Sequence, residues 1–277
     1  MEGRMGAVLV TTDGSPHSHR VLPHAALLAG ALGQPLTLLQ VVDGPRDDAE
    51  RARADAAAAL SRLGIEGDVL VEAPEAGERT ADAILRVAAA YGASVLAIDS
   101  HGHGALRHAL HGSVALDVLK TAKLPLLVSG ANLELATQEA AQYRIVATSD
   151  GSPASEASLR SLSPLLGEGF ELTLLRVHEH EPGHLDDAAA VQACRDELEA
   201  GRRLLAPRLS VNTVVREIPR GAGVDTAIIE TAQEAGAHAI AISTHGYSAR
   251  RHVVMGSVAM MLLGRSPLPL LLTRAEL

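Results

Sequence analysis

The chain has 277 residues, a formal net charge of −9, and 47% hydrophobic against 21% charged residues, a globular balance that excludes wholesale disorder, collagen and coiled coil. One Phe, three Tyr and no Trp leave no aromatic platforms for stacking bases, and the evenly spread acidic excess offers no basic face to nucleic acid or an anionic membrane. Cys194 is the single cysteine, so an intrachain disulfide is excluded and no oxidising compartment is implied.

Taken in chain order, the apolar run Ala7 to Thr12 predicts a strand buried on both faces, and it runs straight into Asp13-Gly14-Ser15-Pro16. Pro16 is placed to open a helix reaching about Leu32, with Pro23 reading as a kink inside it. A strand at Leu36 to Val42, an Ala-rich helix from about Asp47 to Leu63 and a strand near Asp68 to Glu72 follow. The charge run Arg46 to Arg51 reads as a solvated helix start. A helix over Thr80 to Ala90, a strand Ser94 to Ile98, a helix Gly112 to Thr121 and a strand Leu126 to Ser129 complete the unit.

The same order then begins again. Val8-Leu9-Val10-Thr11-Thr12-Asp13-Gly14-Ser15-Pro16 returns as Ile145-Val146-Ala147-Thr148-Ser149-Asp150-Gly151-Ser152-Pro153, and Leu36 to Val41 returns as Leu172 to Val177. Ser100-His101-Gly102, nine residues and Gly112-Ser113-Val114-Ala115 return as Thr244-His245-Gly246, nine residues and Gly256-Ser257-Val258-Ala259. Leu124 to Val128 returns as Leu268 to Leu272. The period, about 135 to 140 residues, is too long for a solenoid and long enough for each copy to fold alone. The expected organisation is a first domain over 1–130, a polar linker over 131–142 and a second domain over 143–277, whose second helix is longer, around Leu185 to Leu205. Strand and helix alternating in this way predict an α/β fold: two Rossmann-like domains, each a five-stranded parallel sheet covered by helices. A duplicated self-associating domain tends to keep its isologous contact within one chain, and the apolar fifth strands are the expected edges.

The repeated residues carry the chemistry. Asp13 and Asp150 stand where a buried strand ends; each is read either as a turn-forming carboxylate or as an acceptor for a ligand's ribose hydroxyl or base amine. A glycine after the fourth strand, followed by Gly-Ser at a helix start, offers close backbone approach, exposed N–H groups, a hydroxyl and the positive end of a dipole, which together suit phosphate. Neither loop has a lysine, so this is no Walker A site, and neither supplies an activated nucleophile.

The Asp-Gly-Ser after the first strand and the G-x-x-G-x9-G-[ST] loop resemble those of universal stress proteins, through nearly the whole chain as a tandem pair. The resemblance implies strand order 3-2-1-4-5 and ATP binding. It places Asp13 and Asp150 on the adenosine, Val41 and Val177 at the adenine, and Gly102, Gly112, Ser113, Val114, Gly246, Gly256, Ser257 and Val258 around ribose and phosphates. Both copies depart at the motif's first glycine, which is Asp99 in one and Ser243 in the other. Asp99 would set a carboxylate beside the triphosphate, weakening the first site unless Mg²⁺ is shared between them.

The function implied is an ATP-binding, nucleotide-dependent sensor or switch in the stress response, working as an internal pseudo-dimer, with further homo-oligomers and an unidentified protein partner as possible assemblies. Its rivals are a slow ATP hydrolase or nucleotidyl-transfer enzyme, with Arg107, Arg250 and Arg251 as the candidate charge clamps, and an adaptor with vestigial sites. His101, His103, His108 and His111, with His178, His180 and His184, could be read as Zn²⁺ or Ni²⁺ ligands, but solvated or phosphate-facing side chains are the simpler reading and no metal is assigned. Cys194 is expected to pack inside its helix. The N-terminal apolar stretch is too short for a signal peptide, and Arg265, Pro267 and Pro269 interrupt the apolar segment Val253 to Leu272, so a soluble cytoplasmic protein is expected.

Overall fold

The computed structural model describes residues 6–100, 113–134, 136, 141–180, 188–205, 207, 209–244 and 255–273. The first copy contains β1 (Ala7–Thr12), α1 (Leu22–Leu32), β2 (Leu36–Val41), α2 (Arg46–Leu63), β3 (Asp68–Glu72), α3 (Thr80–Tyr91), β4 (Ala93–Asp99), α4 (Ser113–Thr121) and β5 (Leu126–Ser129). The second repeats the order: β6 (Tyr143–Thr148), α5 (Pro153–Leu162), β7 (Phe170–His180), α6 (Ala188–Arg202), β8 (Ser210–Pro219), α7 (Val224–Glu234), β9 (Ala239–Ser243), α8 (Ser257–Arg265) and β10 (Leu270–Thr273).

Among the described residues ten strands form one sheet in the order β3-β2-β1-β4-β5-β10-β9-β6-β7-β8, so each copy has the expected 3-2-1-4-5 order. Strands pair in parallel within each copy, and the copies join through antiparallel β5 and β10. The register there is isologous: Leu127 faces its own repeat mate Leu271, while Leu126 faces Leu272 and Leu270 faces Val128. Three apolar residues and a terminal hydroxyl residue in each fifth strand, all buried, would otherwise expose two unpaired edges, and joining them removes that liability. Alternate residues of β1 feed the two faces of the sheet. Val8 and Val10 join a cluster with Ile145, Leu172 and Leu174, and Leu9 joins one with Val146, Leu175 and Leu262, so both cores run through both copies.

One expected element differs. Pro16 does not open an α-helix; residues Ser18–Val21 form a 3-10 turn and α1 starts at Leu22. Pro23 therefore lies in the first turn of α1 rather than kinking a longer helix. A helix continuous from Pro16 would need an N–H at Pro23 to bond four residues back, and proline has none. The second copy has Leu159-Arg160 there, and α5 runs straight from Pro153, capped by Ser152, whose side chain accepts from Ser155 N.

The described start of the expected linker, residues 131–134, is tied to both copies by hydrogen bonds although Ala131, Asn132 and Glu134 are exposed. Ala131 N donates to Leu263 O at 3.1 Å, Asn132 Nδ2 to Gly264 O at 3.1 Å and Glu134 N to Pro267 O at 2.9 Å, all in the second copy. From the first copy, Arg20 donates to the carbonyls of Ala131 and Leu133, and His24 Nε2 pairs with Glu134 O at 2.8 Å. Leu133 is buried under this strap. No helix among the described residues is long and apolar enough to cross a membrane.

His24, 4% exposed, is held below the usual histidine range first by burial, then by the charges of His238 and Arg20, against the opposing pull of its bond to Glu134. His238 is lowered too, by burial and Arg144. A depressed folded pKa means stability present above the ordinary value and lost as pH falls through the folded one. Thermal melts should therefore drop between about pH 7.5 and pH 5.5, and less steeply in His24→Gln; parallel curves for the two proteins would remove His24 from the effect.

Candidate functional site

Both copies build the same hydrogen-bonded loop where the first strand ends. In the first, Gly14 N donates to Thr12 Oγ1 at 2.9 Å, Ser15 N to Asp13 Oδ1 at 2.9 Å and Ser18 N to Ser15 Oγ at 3.2 Å, while the Thr12 and Ser18 hydroxyls meet at 2.7 Å. In the second, Gly151 N donates to Ser149 Oγ at 3.3 Å, Ser152 N to Asp150 Oδ1 at 3.0 Å and Ser155 N to Ser152 Oγ at 3.2 Å, and the Ser149 and Ser155 hydroxyls meet at 3.3 Å. One oxygen of each aspartate therefore does form the turn, as one of its two readings has it. Gly14 and Gly151 have φ of 81° and 70°, the left-handed region that a side chain would strain, so the loop needs glycine there. Half-buried His19 in the first loop is held below its usual range by burial and Arg62, with Asp13 pulling the other way.

The second loop borders a cleft of about 270 Å³. The second copy's described candidates, Asp150, Val177, Ser243, Gly256, Ser257 and Val258, all line it. They come from the ends of β6, β7 and β9 and the start of α8. This is the carboxyl edge of the strands, at the β6/β9 position where the chain reverses its winding direction and open α/β sheets hold ligands. Leu175, Val224, Ile228, Ile242 and Ala259 make the rest of the wall mostly apolar. Sequence reasoning missed Val224 and Ile228. Their spacing of four marks one face of a helix, but nothing in it distinguishes a cleft wall from core.

At the cleft's far end Gly256 is the N-cap of α8, with φ −63° and ψ 155° and no side-chain cap for the first-turn N–H groups. Among the described residues a Cβ there would come no closer than 3.9 Å to any atom outside its chain neighbours, Thr244 O being nearest. Neither the backbone angle nor packing against the described residues requires glycine at 256. Arg176, beside Val177, also lines the cleft and was not among the expected residues; its Nη2 pairs with Glu197 at 3.6 Å and its Nη1 donates to Ser149 O at 3.4 Å. Its buried Nε and the buried Oε1 of Gln40, at the matching place in the first copy, find no partner among the described residues.

In the first copy, Val41 ends β2 and packs partly buried on the core, as does Val114 in the first turn of α4 behind Ser113. Asp99 ends β4, is 6% exposed, and accepts from Ser129 Oγ at 2.5 Å. The second copy has Ser243 and Thr273 there, with Thr273 hydrogen-bonded to Ser158 instead. Gly102, Gly112 and Gly246 lie outside the described residues, as do His101, His103, His108, His111, His184, Arg107, Arg250 and Arg251. Among the described residues no group of three His, Cys, Asp or Glu is placed to hold a metal. Cys194 is buried in α6, with its sulfur 3.9 Å from His178 Nδ1.

A duplicated, doubly wound α/β protein with a loop-bordered cleft at the strand ends of its second copy is the class these features define. The chain belongs to the universal stress protein family, whose model matches residues 5–129 and again 143–274. It is similar to a solved universal stress protein from Archaeoglobus fulgidus DSM 4304, with 20% identity, 98% of this chain and 97% of that one covered, and a TM-score of 0.62. A functionally unknown protein from Pseudomonas aeruginosa PAO1 aligns at 18% identity over 98% of this chain and 93% of its own, with a TM-score of 0.60. A universal stress protein from Archaeoglobus fulgidus solved in complex with dAMP aligns over 45% of this chain and 98% of its own, at 25% identity and a TM-score of 0.37. No curated protein matches the chain.

Proposed function

We propose that this universal stress protein binds ATP in its strand-end clefts and acts as a nucleotide-dependent switch in the stress response. The observation that carries the reading is the second-copy cleft, where an apolar slot meets a helix N-terminus whose cap is a glycine with open space beside it among the described residues. Space kept open at Gly256 suits the close approach of a phosphate, and the first-turn N–H groups of α8 with the Ser257 hydroxyl are donors for it. Val177 and the apolar wall suit a purine, and Asp150 stands at the rim as an acceptor. Mg²⁺ would add charge neutralisation at the phosphates. Occupancy would change the surface that the second copy offers to a partner. Mass spectrometry of the small molecule released on denaturation, with calorimetric titration of ATP, tests the reading; absence of nucleotide and of heat would leave the adaptor alternative.

The enzyme alternative needs a positioned base and a charge clamp. The described part of the cleft holds Asp150 as its one carboxylate, and that group is committed to the turn through Oδ1. Steady-state ATP hydrolysis should be well below the ~1 to 10³ s⁻¹ of ordinary enzymes. A robust rate that disappears with Arg250→Ala would establish the enzyme instead.

A further inference from the structure

We propose that α8 couples the second-copy cleft to the strand ends at Asp99 and Ser129 in the first copy, so that nucleotide at the N-terminus of α8 changes nucleotide affinity in the first copy; the inference rests on the nucleotide reading above. The helix has nine residues and spans about 13 Å. Gly256 and Ser257 at one end line the second cleft. The carbonyls of Leu263 and Gly264 at the other end are taken by Ala131 N and Asn132 Nδ2, which follow directly on β5 of the first copy. One residue earlier, Gly130 lies so close to the helix that a Cβ would stand 2.1 Å from Leu263 O. One residue earlier still, Ser129 Oγ holds Asp99, the residue in the first position of the first copy's glycine motif, and Ser100 N donates to Ser129 O at 3.1 Å.

Contact by itself does not couple sites; an element is needed whose position both sites bias. α8 meets that condition. Its C-terminal carbonyls are bound by the other copy, and Arg265 in its last turn bonds the buried Asp225 at 2.5 Å, which ties it to the first turn of α7. Val224 and Ile228 of α7 form the opposite wall of the same cleft. A ligand between α7 and α8 therefore acts on both helices together. Intrahelical hydrogen bonds fix the length of α8, so a shift at Gly256 reappears at Leu263, and the backbone contact with Gly130 has no side chain to absorb it. Coupling of this kind is ordinarily on the order of 5- to 150-fold in affinity and is reciprocal.

Hydrogen exchange on the full chain, with ATP as the probe, tests the coupling. ATP should slow exchange at the Ala131 and Glu134 amides severalfold in the wild type and clearly less in Gly256→Asp, where calorimetry should show only the first site filling. Asn132→Ala, which touches neither cleft, should alter the ratio of the two ATP affinities severalfold. The coupling is overturned if both sites fill while the two amides do not respond, or if they respond equally in Gly256→Asp. Absence of heat in the wild type overturns the nucleotide reading itself, and the coupling with it.

Discussion

Gly256→Asp is expected to abolish ATP binding in the second copy and leave the fold intact. Aspartate is among the best N-cap residues, and the angles at 256 are those of an N-cap, so the carboxylate would accept from the first-turn N–H groups of α8. No described residue comes within 3.9 Å of a Cβ at 256, so none of them clashes with the side chain. The groups proposed for phosphate would then be occupied, and a negative charge would stand where phosphate must come. Two unit charges about 4 Å apart at an effective dielectric near 20 repel by roughly 4 kcal/mol, which corresponds to about a thousandfold in affinity. Calorimetry should therefore lose one of two sites while the thermal midpoint stays level or rises. Gly256→Ala adds only bulk and should leave stability within about 0.5 kcal/mol of the wild type. Unchanged ATP affinity in Gly256→Asp would remove the phosphate role from α8.

The parts of this molecule that were legible in its sequence are those where side-chain identity and structural role coincide. β1 and β5 have the bounds expected of them because strands buried on both faces are mainly apolar, with small hydroxyl residues only at their ends. The pairing of β5 with β10 was legible for the same reason, since an apolar strand repeated at the end of each copy needs a partner. Repetition also exposed the cleft: Asp150, Ser243 and Gly256 are far apart in the chain and were grouped only because their mates recur in the same order. What escaped prediction depends on the backbone. Pro23 acts through an N–H it lacks, so its effect appears some residues earlier, as the 3-10 turn over Ser18–Val21. Residues 130–134 read as polar linker, yet they bind the second copy largely through main-chain donors, which composition does not register. Asp99 was expected to act through its charge alone; the structure ties it to Ser129, whose role depends on a strand pairing between residues thirty positions apart.

Gly130→Ala should be the most destabilising single methyl in the chain's described part, and the reason is separate from φ, since Gly130 is not among the positive-φ glycines. The added Cβ would meet Leu263 O at 2.1 Å, Leu263 C at 3.0 Å and Leu263 Cα at 3.3 Å. All three are backbone atoms of a helix, so no rotamer change relieves the overlap. Relief requires α8 to move away from residues 130–132, which breaks the bonds from Ala131 N and Asn132 Nδ2 and strains the adjacent β5–β10 pairing that joins the copies. Overpacking of this kind costs about 3 kcal/mol or more when the neighbours cannot yield, equivalent to a fall of roughly 6–12 °C in thermal midpoint for a chain of this size. Gly30→Ala is the control: it lies in α1, where a Cβ meets nothing within 4 Å, so it should be neutral or stabilising through helix propensity. Equal melting temperatures for Gly130→Ala and Gly30→Ala would mean that α8 and the segment after β5 are not in backbone contact. The mechanical link between the copies would then have to be sought in the β5–β10 ladder alone.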